Sequence, residues 1–316
     1  MSTPLIETRH LKKYFDTPGG LLHAVDDVNI MIPKGKTLGV VGESGCGKST
    51  LGRVILRLLE ATSGEVFYNG KNILNFSKQD MMKMRQKMQI IFQDPYASLN
   101  PRMTVSEIIA EPIKVCKTIT GNHAIMEKVD ELMQIVGLAD RFVNTYPHEL
   151  DGGRRQRIGI ARALALNPEF IVCDEPVSAL DVSIQAQVLN LLMDLQEERG
   201  LTYMFVTHNL SVVKHISDEI AVMYLGQCVE QCTSDELFEN PLHPYSKALL
   251  SAIPEPTLEA RNKKQEIIRG EVTSPINPKP GCRFAARCPY AKTECVEREL
   301  EFKEVVSGHF VSCILY

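Results

Sequence analysis

The sequence lacks the features that mark membrane-spanning, exported or nucleic-acid-binding proteins. No stretch approaches the roughly 18 consecutive apolar residues that a membrane span requires. The first ten residues, MSTPLIETRH, have neither the basic head nor the apolar stretch of a signal peptide. The 35 basic and 39 acidic residues give a formal charge of −4, so the basic surplus of a general nucleic-acid binder is missing. We therefore predict a cytoplasmic protein that does not bind nucleic acid and that reaches any membrane through a partner.

The pattern of apolar segments predicts an α/β fold. The chain has 316 residues, of which 44% are hydrophobic, enough for one large domain or two modest ones. Short apolar strands are expected at residues 38–41, 170–175 and 202–208, and a helix is expected to end at Gly200. Strands that alternate with helices indicate a mostly parallel sheet. A helical insert is expected to interrupt this core at about residues 95–157. Within it, apolar residues recur at helical spacing, namely Ile125, Val129, Leu132, Met133 and Val136. After residue 235, the proline-rich segments NPLHPYSKALLSAIPEP and TSPINPKPG are expected to be connectors that lead to the cysteine cluster.

A glycine-rich segment between a predicted strand and a predicted helix fits the phosphate-binding P-loop pattern. In such a loop, backbone N–H groups and the start of a helix surround phosphate. Lys48 would reach the β- and γ-phosphates, and Ser49 would bind Mg²⁺. The candidate loop residues are Gly42, Glu43, Ser44, Gly45, Cys46, Gly47, Lys48, Ser49 and Thr50.

A second motif, FIVCDE at residues 170–175, supplies two carboxylates at the end of an apolar strand. Asp174 can enter the shell of a Mg²⁺ ion, and Glu175 is placed to polarise a water molecule. An apolar run followed by Asp-Glu is weak evidence by itself. Downstream of a P-loop it becomes strong evidence for nucleotide hydrolysis.

Five motifs occur in the same order as in the nucleotide-binding subunit of ABC transporters, which this chain resembles over residues 1 to about 250. The motifs are the P-loop, Gln93 in IIFQDP, LDGGRRQ, FIVCDEPVSALD, and His208 in FVTHNL. The resemblance implies an α/β P-loop ABC ATPase core, an antiparallel β subdomain and an inserted helical subdomain. It implies ATP and Mg²⁺ as cofactors.

The same resemblance assigns roles to individual residues. Lys48 and Ser49 serve phosphate and Mg²⁺, Asp174 binds the metal, and Gln93 senses Mg²⁺ and the membrane subunit. Glu175 is the general base and His208 contacts the γ-phosphate. Asp181 is the D-loop residue. Tyr14 matches the aromatic residue that stacks on adenine, although a core aromatic on an early strand is the alternative.

Three further segments resemble the ATPases of oligopeptide, dipeptide and nickel importers, which extends the match over essentially the whole chain. They are QDPYASLNPRMTV, NPLHPYSKALLSAIP and PGCRFAARCP. The resemblance is to the second of the two different ATPases of such importers. It implies a nucleotide-binding domain at residues 1–250 and a small cysteine-containing extension at 251–316. The implied partners are a second ABC ATPase, two transmembrane permease subunits and, indirectly, an extracytoplasmic substrate-binding protein. The implied location is the cytoplasmic face of the membrane.

The signature segment departs from the family pattern LSGGQ, since it reads Leu150-Asp151-Gly152-Gly153-Arg154. In the family this segment completes the ATP site of the opposite subunit. A serine hydroxyl can donate to phosphate, whereas an ionised aspartate only accepts. Aspartate can still cap the following helix, and Arg154 can offset its charge. We expect the partner's ATP site to be weakened. A neutral variation that leaves both sites active is the alternative.

Four of the nine cysteines crowd the last 35 residues, namely Cys282, Cys288, Cys295 and Cys313. Four thiolates suit an iron–sulfur cluster or structural zinc, and the spacing barely separates the two. Free thiols are a third reading. Some peptide-importer ATPases carry a [4Fe–4S] cluster here, and this resemblance favours a cluster with a structural role.

Two other functions remain open from the sequence. A soluble ABC-type ATPase of translation or repair usually carries two cassettes or a coiled-coil insertion, and neither is visible. An ATP-binding regulatory subunit with weak hydrolysis is disfavoured by the intact Glu175 and His208.

Overall fold

The structure is a computed structural model that describes residues 3–253, 270 and 273–316. The described residues form thirteen strands: β1 (Ile6–Thr17), β2 (Gly20–Val28), β3 (Met31–Ile32), β4 (Thr37–Val41), β5 (Ser63–Tyr68), β6 (Lys71–Asn72), β7 (Met88–Ile91), β8 (Phe170–Asp174), β9 (Thr202–Val206), β10 (Glu219–Tyr224), β11 (Gln227–Thr233), β12 (Lys303–Val306) and β13 (His309–Val311). They also form eleven helices: α1 (Lys48–Ile55), α2 (Lys78–Lys87), α3 (Pro95–Ser98), α4 (Val105–Cys116), α5 (Asn122–Ile135), α6 (Gly152–Leu164), α7 (Val182–Arg199), α8 (Leu210–Ile216), α9 (Ser234–Glu239), α10 (Pro244–Ser251) and α11 (Glu294–Glu297).

The chain divides into two compact units. Unit 1 comprises Met1–Pro33, Thr37–Leu74 and Thr207–Tyr316, and unit 2 comprises Lys34–Lys36 and Asn75–Val206. The predicted division at about residue 250 stays a prediction, because the chain from residue 254 to residue 269 lies outside the described residues. Among the described residues, no helix combines the length and the apolarity that crossing a membrane demands.

Unit 1 contains an antiparallel sheet with the strand order β2-β1-β5-β6, and β3 also pairs with β1. This agrees with the predicted antiparallel β subdomain. The unit also contains five strands in the order β12-β13-β11-β10-β4, in which each strand is hydrogen-bonded to the next. Within this set β10 runs parallel to β4, and the remaining pairs are antiparallel. The last two strands, from the cysteine-containing extension, therefore continue the sheet that β4 belongs to.

Unit 2 contains a parallel set of strands in the order β9-β8-β7. All five residues of β8 are buried, as a strand covered on both faces requires. Helix α4 packs against α5 and α6. The apolar positions predicted for the α5 region are buried in the structure: Ile125, Val129, Leu132, Met133 and Val136. The predicted end of the helical insert at about residue 157 falls inside α6.

The proline-rich segment after residue 240, expected from its composition to be a connector, forms helix α10. Pro244 occupies the first turn, where its missing N–H costs nothing. Nδ1 of His243 accepts a hydrogen bond from the N–H of Tyr245 at 3.0 Å and caps the helix. Tyr245 is fully buried. The segment is thus part of the core, and its proline marks a helix start.

A buried acid–base pair attaches β13 to β11. Glu230 is 0% exposed, and its carboxylate accepts hydrogen bonds from the N–H groups of Leu242 and His243 at 2.6 and 3.0 Å. Nε2 of His309 lies 2.8 Å from Oε1 of Glu230. Burial acts to raise the pKa of Glu230, but the hydrogen bonds from His309 and the backbone hold it below 4.5. The Glu230 hydrogen bond raises the pKa of His309 above 6.5, against the opposing effect of burial.

The shifted pKa values predict how stability depends on pH. Because the folded-state pKa of His309 is raised, its contribution is complete below pH 6.5 and is lost as pH rises through the raised value. The contribution of Glu230 is present above pH 4.5 and is lost as pH falls through its lowered pKa. We expect His309→Gln to lower the thermal unfolding midpoint most between pH 4.5 and pH 6.5, where both contributions are present. Removing one partner of a buried pair costs about 3–5 kcal/mol.

The control is His123→Gln, since His123 pairs with Glu127 on the exposed surface of α5. Thermal unfolding followed by circular dichroism from pH 4 to 9 measures both variants. An identical pH profile for His309→Gln and the unmodified chain would rule out the stabilising pair.

Candidate nucleotide-binding site

The P-loop follows β4 and presses closely on the backbone of its neighbours in unit 1. Gly42 and Gly47 have φ values of 149° and 103°, which favour glycine. A Cβ atom at Gly47 would lie 1.9 Å from the carbonyl oxygen of Ala24, and one at Gly42 would lie 2.1 Å from that of Met223. Neither position can hold a side chain without moving backbone. The glycines therefore let the loop lie directly against β2 and β10.

Lys48 is buried at the start of α1, at 4% exposure. Its Nζ donates to the carbonyl oxygens of Gly42 and Glu43 at 2.8 and 3.0 Å. No side chain caps the start of α1, where Gly47 is the N-cap residue. The first-turn N–H groups of such a helix favour an anion. Lysine, loop backbone and helix start are thus arranged as a phosphate site requires.

Cys46 fills space inside the loop. It is 2% exposed, and its Sγ lies 3.8 Å from Nζ of Lys48. Burial raises the pKa of this thiol, which outweighs the opposite effect of Lys48. A thiol kept protonated is a poor nucleophile, so the residue serves packing.

Glu43 of the loop is held by residues that sequence reasoning missed. Its N–H donates to the hydroxyl oxygen of Tyr245 at 2.9 Å. Its carboxylate accepts two hydrogen bonds from Arg287, at 2.9 and 3.1 Å. Arg287 stands beside Cys288 in the C-terminal extension. The segment CRFAARC, with an arginine next to each cysteine, was the available signal.

Tyr14 lies on β1 with one ring face covered. The ring stacks on His23 at a centroid distance of 3.9 Å and an interplanar angle of 21°. Its hydroxyl donates to Asp26, and Arg283 donates to the same carboxylate. Burial and the hydrogen bond to Asp26 raise the pKa of Tyr14, so the hydroxyl stays protonated. The proposed contact of Tyr14 with adenine stays a prediction.

His208 is exposed just beyond the buried Thr207. The N–H of Thr207 donates to the carbonyl oxygen of Val40 at 3.1 Å. Val40 belongs to β4, which leads into the P-loop. Unit 1 therefore brings His208 beside the strand that carries the phosphate loop.

In unit 2, the structure brings Gln93 and Glu175 together. Asp174 ends β8 and is 2% exposed. Glu175 follows with φ 47°, a left-handed conformation unusual for a residue other than glycine. Its N–H donates to the carbonyl oxygen of Val206 at 3.0 Å. Nε2 of Gln93 donates to Oε2 of Glu175 at 3.0 Å. Backbone outliers of this kind cluster at functional sites.

Asp151 caps α6 and pairs with Arg154. One carboxylate oxygen accepts from the N–H of Arg154 at 2.8 Å, and the other lies 2.5 Å from its Nη1. Both side chains are about half exposed, at 48% and 44%. The signature glycines lie beside the D-loop helix, since a Cβ at Gly153 would meet Ile184 at 2.7 Å. Asp181 caps that helix, α7, by accepting from the N–H of Ile184 at 3.0 Å.

The four C-terminal cysteines surround one small cavity. Cys282, Cys288, Cys295 and Cys313 all line it, together with Phe284 and His243. All nine cysteines of the chain are free thiols. The N–H of Cys282 donates to the carbonyl oxygen of Cys295 at 2.7 Å. Burial raises the pKa of Cys282 to about 11, and the other three thiols add to the shift. The metal cluster predicted for these four residues stays a prediction.

Comparison with known proteins decides the family. Residues 25–178 match the ABC transporter family, and residues 229–295 match the family described as the oligopeptide/dipeptide transporter C-terminal region. The chain belongs to the ATP-binding proteins of ABC transporters. It is therefore an ABC ATPase, and the region that carries Cys282, Cys288 and Cys295 is shared with a family of transporter proteins.

Several relatives match over nearly their whole length. A putative oligopeptide transport ATP-binding protein, YkfD of Bacillus subtilis (strain 168), is 55% identical over 99% of this chain and 96% of the relative. The oligopeptide transport ATP-binding protein OppF of Escherichia coli (strain K12) is 52% identical over 98% and 92%. The structure of the ATP-binding cassette MJ0796 bound to ADP and Pi superposes with a TM-score of 0.67 at 29% identity. It covers 72% of this chain and 98% of that one. The predicted ABC cassette fold is confirmed.

Proposed function

We propose that the chain is the ATP-hydrolysing subunit of an importer of oligopeptides or dipeptides, at the cytoplasmic face of the membrane. The observation that carries this proposal is the match to oligopeptide transport ATP-binding proteins at 52–55% identity, which includes the C-terminal extension. The proposed partners are a second ABC ATPase and two transmembrane permease subunits, with a substrate-binding protein acting indirectly. Nickel is the alternative cargo, because the resemblance extends to nickel importers. A soluble ABC-type ATPase is the alternative class of function.

The described side chains support the following division of labour. Lys48 and the first N–H groups of α1 bind phosphate, Tyr14 stacks on adenine, and His208 contacts the γ-phosphate. Ser49, Gln93 and Asp174 offer the hydroxyl, amide and carboxylate oxygens that Mg²⁺ accepts. The ion, when bound, neutralises charge on the phosphate oxygens.

Glu175 is the proposed general base, which takes a proton from the attacking water. Its hydrogen bond from Gln93 links the base to the loop assigned to the membrane subunit. The strained backbone at Glu175 holds the carboxylate beyond the strand end. Asp181 remains the proposed D-loop residue.

Glu175→Gln tests the base directly. The amide keeps the size and the contact with Gln93 but cannot accept the proton from water, so turnover should fall by at least about a hundredfold. ATP should still bind and remain trapped. Phosphate release and retained nucleotide measure the two effects. Glu198→Gln, an exposed change on α7, is the matched control. Near-normal hydrolysis by Glu175→Gln would remove this residue from the role.

We also propose that Asp151 makes the partner's ATP site the weaker of two. A unit repulsion at 4 Å amounts to about 4 kcal/mol at an effective dielectric of 20. The Asp151–Arg154 ion pair reduces the net charge that faces the partner's ATP. It leaves no hydroxyl donor in the position of the signature serine. The exposure of both side chains suits a contact with another subunit.

The variant Asp151→Ser with Arg154→Gln should raise ATP turnover of the assembled transporter. The gain should be at most about thirtyfold, since about 2 kcal/mol of a limiting barrier is recoverable. It should disappear when the partner's P-loop lysine is replaced. Asp140→Ser with Arg141→Gln, an exposed pair in the same unit, is the control. Unchanged turnover, with both P-loop lysines equally important, would mean that the two sites are equivalent.

We propose a [4Fe–4S] cluster at the four C-terminal cysteines. All four thiols line one small cavity, where they could bind a single metal group. Iron–sulfur clusters use four-cysteine ligation. A structural zinc ion with four thiolate ligands is the alternative. When bound, the cluster would tie together a tail with a small core of its own.

Protein purified without oxygen should be brown and hold about four iron ions per chain. Iron and zinc are measured by elemental analysis, with visible absorption as the second readout. Cys295→Ala should lose the iron, whereas Cys116→Ala, a change on α4, should keep it. Stoichiometric zinc without iron would contradict the cluster.

A further inference from the structure

The C-terminal extension contacts the P-loop through a partly buried ion pair. Nη1 and Nη2 of Arg287 donate to the two carboxylate oxygens of Glu43 at 2.9 and 3.1 Å. The side chains are 8% and 28% exposed, respectively. Two parallel charge-assisted hydrogen bonds fix both distance and orientation. Residues 244 positions apart are thereby held in one geometry.

The arginine itself is anchored by aromatic residues. Its Nη1 also donates to the hydroxyl oxygen of Tyr224 at 3.2 Å. Tyr224, Tyr245 and Phe284 pack with centroid distances of 4.7–5.3 Å, and all three are buried. Because Tyr245 accepts the N–H of Glu43, the same cluster fixes the backbone and the side chain of this loop residue.

A second arginine of the segment reaches the surroundings of Tyr14. Arg283 is 6% exposed and donates to the carboxylate of Asp26 and to the carbonyl oxygen of Leu225. Asp26 also accepts the hydroxyl of Tyr14. The N–H of the next residue after Leu225, Gly226, donates to the carbonyl oxygen of Cys46 in the P-loop at 2.8 Å. The two arginines therefore contact two sides of the candidate nucleotide site.

We propose that Arg287 and Arg283 are positioning residues for ATP, so that the cysteine-containing extension is a working part of the nucleotide site. The inference rests on the proposed phosphate-binding role of the P-loop. Arg287 acts through Glu43, and Arg283 acts through Asp26 on Tyr14.

The charge of Glu43 explains why Arg287 is needed. The carbonyl oxygen of Glu43 accepts from Nζ of Lys48 at 3.0 Å, so this residue belongs to the loop that would surround phosphate. A carboxylate without a partner in that loop would repel a triphosphate. Arg287 cancels this charge and restrains the loop in one conformation. Removing Arg287 should weaken ATP binding for two reasons: the Glu43 carboxylate would repel the phosphates, and the loop would lose its restraint.

The experiment measures the affinity of the purified full chain for a non-hydrolysable ATP analogue with Mg²⁺, by isothermal titration. Arg287→Ala should bind about tenfold more weakly. Arg287→Lys should recover part of the loss, because it keeps the charge without the two parallel bonds. Arg298→Ala, an exposed arginine of the same extension, should bind as the unmodified chain does.

A double variant separates the effect of the Glu43 charge from the effect of restraining the loop. It also distinguishes both effects from general unfolding. Arg287→Ala with Glu43→Gln should bind more tightly than Arg287→Ala alone, since the unpaired charge is gone. Non-additivity of this kind does not arise from general destabilisation. If Arg287→Ala does not fold, Arg287→Lys carries the test, and it should bind the analogue more weakly than the unmodified chain does.

Two results would overturn the inference. The first is an unchanged affinity for the ATP analogue in Arg287→Ala and Arg287→Lys, while Lys48→Ala no longer binds it. This result would overturn the inference but leave the proposed role of the P-loop intact. Equal ATP binding by the unmodified chain and Lys48→Ala would overturn the proposed role of the P-loop, and the inference with it.

Discussion

The tight approach of the P-loop backbone to its neighbours is the constraint on which the rest of unit 1 depends. The loop passes so close to the carbonyl oxygens of Ala24 and Met223 that only glycine fits at Gly47 and Gly42. Those carbonyls come from β2 and β10, far apart in the sequence. Arg287 adds a contact from the C-terminal extension. The conformation of the loop therefore depends on the packing of distant parts of the chain.

In unit 2, the proposed general base is held in a different way. Glu175 is placed by a left-handed backbone turn, a hydrogen bond to Val206 and a hydrogen bond from Gln93. The signature segment is held locally, because Asp151 binds the backbone and the side chain of Arg154 only three residues away. The start of α6 is therefore capped from within the signature segment itself.

The site residues that the sequence allows us to propose are those that lie in contiguous motifs. The P-loop, Asp174 and Glu175 fall in this class, because a strand, a turn and a helix start lie next to one another in the chain. Arg283, Arg287 and the Glu230–His309 pair were missed, because each works through a partner at least 79 positions away. Helix α10 was missed for another reason: prolines suggested a connector, whereas Pro244 begins a helix. The clustering of four cysteines in the sequence predicts a shared site, and only the structure shows that Phe284 and His243 line the same cavity.

Hydrogen exchange of the full chain with and without ATP and Mg²⁺ tests most directly whether the P-loop and the extension form one nucleotide site. The account predicts that ATP slows exchange of the amides at residues 42–51, since they bind phosphate. It predicts slower exchange at residues 281–288 in the same experiment, because Arg283 and Arg287 connect that segment to the site. Slower exchange at residues 42–51 together with unchanged exchange at residues 281–288 would contradict the account.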